Sequence, residues 1–121
     1  MKLHLTQAEG KHLIMGYGPG WVQVNQDRHT SAFLMTPGHL QRWPLDSPAV
    51  LVAENFQAVV ALAPEVFILG TGMRQKFPSV ACLKLLIEAG IGYEIMDTPA
   101  ACRTYNILMS EGRNVAIGII F

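Results

Sequence analysis

The stretch Phe67 to Ser79, FILGTGMRQKFPS, gathers residue types that could hold an anion. Gly70 and Gly72 would free the backbone at a strand end, while Arg74 and Lys76 would supply positive charge. Pro78-Ser79 would open a helix, whose first N–H groups and dipole favour negative ligands. A second helix start follows in MDTPAACRTYN, with Asp97 and Thr98 at a strand end and Cys102-Arg103 in the turn behind them. If the two strands lie side by side and parallel, both helix starts meet at one sheet edge, where open α/β sheets bind ligands. The candidate site for a small anion or nucleotide is therefore Gly70, Thr71, Gly72, Arg74, Asp97, Thr98, Cys102 and Arg103.

Each of these residues also has a plainer use. The dinucleotide fingerprint needs a third glycine where Gln75 stands, and no G-K-[ST] follows at P-loop spacing. Two glycines suit a tight positive-φ turn, and Asp97 and Thr98 suit helix capping. A thiol near a helix start and beside Arg103 can be activated as a nucleophile. Yet all four histidines, His4, His12, His29 and His39, fall in the other half of the chain, and a buried, inert Cys102 is the simpler role. Cys82, within an apolar helical pattern, reads as core. The histidines show no metal-ligand spacing. No catalytic residue, metal or cofactor is assigned. Trp21 and Trp43 either fill core or mark a contact surface.

The elements that must position these residues differ between the two halves, which divide near Pro44 to Pro48. IMGYGPGWVQVN reads as strand, Gly18-Pro19-Gly20 turn, strand, and SAFLMTPGHLQRW repeats the theme around Thr36-Pro37-Gly38. The second half alternates helix and strand. The spacing of Phe56, Val59, Val60 and Leu62 predicts a helix from Ala53 to Leu62, stopped by Pro64, and Val66 to Leu69 is a strand. Val80, Leu83, Leu86 and Ile87 predict a second helix ended by Gly90 and Gly92, then a strand from Tyr93 to Met96. A third helix runs from Pro99 to Leu108, capped by Asp97 or Thr98, and Glu111 to Asn114 form a turn. The run VAIGIIF, apolar on both faces, predicts a central strand covered on both sides.

The chain has 121 residues, the size of one domain spanning 1–121, with half its residues apolar and only 15% charged, which suits a packed globular core. Nine acids balance nine bases, and no basic run offers a nucleic-acid or anionic-membrane surface. Two cysteines make no disulfide framework and suit a reducing compartment. The amino-terminal segment MKLHLTQAEGKHL lacks the apolar core and cleavage site of a signal peptide. The longest apolar region, Ala49 to Leu69, is interrupted by Glu54, Asn55, Gln57, Pro64 and Glu65, against the about 20 apolar residues of a bilayer span. The expectation is a soluble, cytoplasmic protein without membrane insertion.

The segments PEVFILGTGMRQKFPS and GIGYEIMDTPAACRTYNILMSEGRNVAIGIIF resemble the complex I (NADH dehydrogenase) assembly factor 3 family. The shared pattern is Gly70-Thr71-Gly72 after a strand, Asp97-Thr98 with Ala101 to Asn106 at a helix start, and Glu111 to Arg113 before the last strand; TPGHLQRWP adds a tryptophan segment upstream. The resemblance implies an α/β fold of three layers: a mixed central sheet, an N-terminal β-hairpin layer and helices packed on the sheet. It implies no catalytic residues. It implies a non-enzymatic interaction protein with an unidentified protein partner, serving assembly of a respiratory complex; the small-anion or nucleotide site is the alternative.

Overall fold

The computed structural model describes residues 10–45 and 50–121. The amino-terminal expectation, His4 included, and most of the expected divide at Pro44 to Pro48 lie outside the described residues.

Alternating apolar residues and Gly/Pro turns fold the first half into strands. β1 (Ile14–Gly18), β2 (Trp21–Val24) and β3 (Asp27–His29) form an antiparallel sheet in that order. β4 (Phe33–Thr36) and β5 (His39–Arg42) form the next hairpin, turning at Pro37-Gly38. A 3-10 turn, Ala53–Phe56, leads into α1 (Gln57–Leu62), and β6 (Val66–Gly70) follows Pro64. A second 3-10 turn, Val80–Leu83, leads into α2 (Lys84–Glu88), then β7 (Gly92–Met96), α3 (Thr98–Ser110) and β8 (Val115–Ile119).

The main sheet has five strands in the order β5-β4-β8-β6-β7. β8 runs parallel to β6 and antiparallel to β4, and β6 runs parallel to β7, so the sheet is mixed. All five residues of β8 are buried, as a strand covered on both faces requires. One face packs against α1 and α2 through Phe56, Val59, Leu83 and Leu86, with Trp43, Phe56 and Phe67 meeting edge-on at centroid distances of 5.9 to 6.2 Å. The other face packs against α3 and the three-stranded sheet through Ile14, Val22, Cys102, Tyr105 and Met109. The three layers match the expected architecture.

Several local expectations change. β3 has no apolar alternation and was not expected; it forms because β2 offers it an edge, pairing Val22 with His29 and Val24 with Asp27. Gly92 begins β7 instead of ending a helix, and Gly90, at φ +71°, makes the turn alone. Val80 and Ile87 are 76% and 53% exposed. The helical stretch is so short that only Leu83 of the 3-10 turn and Leu86 of α2 are buried, with Leu85 packed at the edge of the core, and Ile87 is rotated about 100° from Leu86. Cys82 lies half-buried at the rim of the layer, its thiol 3.1 Å from the Ser79 hydroxyl and 3.3 Å from the Leu51 carbonyl.

Candidate functional site

The parallel pairing of Gly70 with Met96 brings the two loops together at the carboxyl ends of β6 and β7. Gly70 is closely surrounded: a Cβ there would stand 2.7 Å from Ile119 Cδ1 and 3.1 Å from the Ala101 methyl, so both neighbours would have to shift. Gly72 has φ +96°, which a side chain disfavours. The buried Thr71 holds the turn closed. Its hydroxyl lies 2.8 Å from the Arg74 carbonyl and 3.2 Å from the Met96 carbonyl as donor, and accepts from the Lys76 N–H at 2.9 Å. Thr98 clamps the loop from the helix side, because Gly72 N–H donates to Thr98 Oγ1 at 3.0 Å and Thr98 N–H donates to the Gly72 carbonyl at 2.7 Å.

An anion at this edge would want free N–H groups, and those of the α3 start already have acceptors. Thr98 N–H is bound to Gly72, Pro99 has none, Ala100 N–H donates to Asp97 Oδ1 at 2.9 Å, and Ala101 N–H donates to the Asp97 carbonyl. Asp97 is thus the helix cap. Arg74 and Lys76 are exposed and make no ion pair among the described residues.

The other predicted site residues diverge from the loop. Cys102 is fully buried in the core between α3 and the main sheet; desolvation pushes its thiol up to about 12, and the Arg103 charge opposes this only in part. Arg103 turns outward and donates to the Tyr17 hydroxyl on β1 at 2.9 Å. Tyr105 donates to the His12 carbonyl at 2.9 Å. The Asn106 side chain, 3% exposed, accepts from Ile14 N–H at 3.1 Å and donates to the Ile14 carbonyl at 2.8 Å. Asn106 therefore gives β1, an edge strand, the pair of hydrogen bonds that another strand would supply. Gln75 does similar service on the far edge of the main sheet, donating to the Ile95 carbonyl of β7 at 2.7 Å. The motif that looked reactive in the sequence is mostly a clamp.

Elsewhere, Glu65 joins the entries to β6 and β8, accepting from Arg113 Nε at 2.9 Å and from Asn114 N–H at 3.0 Å. The Arg113 hydrogen bond first, and the Asn114 N–H second, hold its carboxyl below the usual value. A cleft of about 540 Å³ lined by Lys11, Pro37, His39, Leu62 and Asn114 lies at the opposite end of the main sheet from the glycine loop. Of the described histidines, His12 Nδ1 is 3.1 Å from the Thr36 carbonyl, and His39 Nε2 is 2.8 Å from Gln41 Oε1. No cluster of three metal-binding side chains occurs among the described residues.

The sequence reading missed an apolar surface. Val50, Val52, Met73, Phe77 and Val80 are 50% to 76% exposed, with Phe77 at 70%. The signal lies in Phe77 itself, a large apolar residue in a loop without a periodic apolar partner.

A family model described as a protein of unknown function (DUF498/DUF598) matches residues 14–120, from the first residue of β1 to just past β8. The chain belongs to this family. Among its relatives, the NADH dehydrogenase [ubiquinone] 1 alpha subcomplex assembly factor 3 of Danio rerio is 31% identical over 94% of this chain and 67% of that protein. The 13 kDa major membrane protein of Francisella tularensis is 32% identical over 63% of this chain and 62% of its own length. A crystal structure of a Bordetella parapertussis protein superposes with a TM-score of 0.86 at 41% identity, covering 92% of this chain and 96% of that one. The resemblance to complex I assembly factor 3 read from the motifs therefore holds, and so does the fold it implied. No helix among the described residues is long and apolar enough to cross a membrane.

Proposed function

We propose that this DUF498/DUF598 chain is a protein-binding assembly factor without a reaction of its own, aiding construction of a respiratory membrane complex from its cytoplasmic side. The observation that carries the reading is the 31% identity, over 94% of the chain, to a protein named as a complex I assembly factor. The geometry supports it. Thr71, Thr98, Tyr105 and Asn106 are occupied in holding the scaffold, and Cys102 is a protonated core thiol at neutral pH. Affinity purification of the tagged chain from its native cell under mild detergent, read by mass spectrometry, tests it. Recovery of respiratory-complex subunits is the expected result, and a preparation free of any such subunit overturns it.

A small anion at the glycine loop is the second reading, favoured by Arg74 and Lys76, which are exposed and make no ion pair among the described residues. Such a ligand would be held by side chains, or would displace Thr98 from Gly72. Titration with inorganic phosphate should then shift the amide resonances of residues 70–76, and Arg74→Ala should abolish the shift. Unmoved resonances dismiss this reading.

A further inference from the structure

Two separate segments present five of the exposed apolar residues, with Ile87 and Ile107 standing apart on α2 and α3. The loop after β6 carries Met73, Phe77 and Val80, while Val50 and Val52 lie ahead of the first 3-10 turn. The Cys82 thiol donates to the Leu51 carbonyl at 3.3 Å, which sets the chain at Leu51 beside the turn at Cys82. The loop that displays Phe77 is held at its base by the Thr71 hydroxyl and by Gln75 reaching β7, so its shape is set before anything binds.

The loop that displays Phe77 carries cations and no acid of its own, the nearest acids along the strand it is bonded to being Glu94 and Asp97 on either side of Ile95-Met96. No aspartate or glutamate occurs from Val66 to Ile87, although the whole chain is balanced at nine acids and nine bases. Within that span Arg74 and Lys76 are exposed and unpaired among the described residues, and Lys84 is 3.9 Å from Glu88 at the far end of its own helix. Glu54 is the one acid that the facing 3-10 turn supplies.

We propose that this surface is the docking site for an acidic, amphipathic segment of a partner protein, whose apolar side chains cover Phe77 and Val80 and whose carboxylates meet Arg74 and Lys76. The proposal rests on the reading of the chain as a protein-binding factor and adds where the partner sits and what chemistry it carries. Charge complementarity selects this occupant. A second copy of the chain, docked through the same surface about a two-fold axis, would set cations against cations. A bilayer is poorly served, because lipid-binding patches gather about four to eight basic residues and this loop offers two, Arg74 and Lys76.

The test replaces Phe77 by photo-reactive benzoylphenylalanine in the full chain, expressed in its native cell, and sequences whatever cross-links to it. A protein segment with apolar residues at helical spacing and an excess of Asp and Glu is expected. A synthetic peptide of that segment should bind the purified chain, weaken about tenfold or more against the Arg74→Glu, Lys76→Glu double variant, and recover when its own acids are changed to lysine. Both substitutions are at exposed positions, so an unchanged thermal unfolding curve confirms an intact fold. Cross-linking to lipid, to another copy of this chain, or to a segment without acidic excess overturns the proposal, as does peptide binding indifferent to the charge reversal. Failure of the surface and failure of the function are separable. If purification recovers respiratory-complex subunits and Phe77 cross-links to none of them, the assembly role stands and this surface is wrong; if neither experiment yields a partner, both fall.

Discussion

Asn106 and Cys102 sit four residues apart on α3, and although only Cys102 was a candidate for chemistry, burial gives each a structural task. Replacing Asn106 by alanine strands the N–H and carbonyl of Ile14 without their partner, and an unsatisfied buried polar group costs about 1–3 kcal/mol. Asn106→Ala should therefore lower unfolding free energy by about 2–4 kcal/mol in urea titration, while Arg103→Ala, losing an exposed bond to Tyr17, should stay within about 0.5 kcal/mol. The thiols should separate just as clearly. Iodoacetamide should label half-buried Cys82 in the folded chain and reach Cys102, its thiol raised to about 12 by desolvation, only after unfolding, as peptide mass mapping would show. Rapid labelling of Cys102 in the folded protein would refute its place in the core.

The order and type of most elements were legible because their patterns are local. Gly18-Pro19-Gly20 and Pro37-Gly38 mark hairpins, Asp97 caps α3, and an uninterrupted apolar run marks β8. What escaped depended on partners distant in sequence. β3 is polar and exists through β2, and Val80 and Ile87 carry a core pattern while facing solvent. The same residue types serve a core and a docking surface, so periodicity alone could not separate them. At the loop, the sequence named the residues that meet, Gly70 to Gly72 with Asp97 and Thr98, but it could not reveal that their donors satisfy one another. Glycine in the middle of β8 shows the same dependence on tertiary context. A Cβ on Gly118 would stand 2.7 Å from Trp43 Cζ3 and 2.9 Å from Phe67 Cζ, so the aromatic trio needs this position bare. Gly118→Ala should cost about 1–3 kcal/mol by overpacking, read as a lowered Tm, and a neutral result would mean that the rings can yield.

Across the whole molecule the β6 and β8 entries are joined by Glu65, whose acceptance of the Arg113 and Asn114 donors links acidity to stability. Because its carboxyl is held below the usual value in the folded chain, the stability it adds is present above its unfolded pKa and disappears as pH falls through the lowered folded value. Urea midpoints measured from about pH 6 down to about pH 3 should fall less steeply for Glu65→Gln than for the wild type; parallel curves would deny the linkage. The position of β8 has a consequence in time as well as in space. β4 leaves the ribosome long before β8, the strand that must lie between it and β6, so Phe33 and Leu34 wait for Ile119 and Gly118 to be synthesised. Until then the nascent chain holds two half-sheets with open edges and no bridge between them, a state that pairs readily with the wrong strand. Closure must come as a late event, joining residues far apart in sequence, and such closure is slow. During synthesis the chain would therefore gain from anything that shields those edges until β8 arrives.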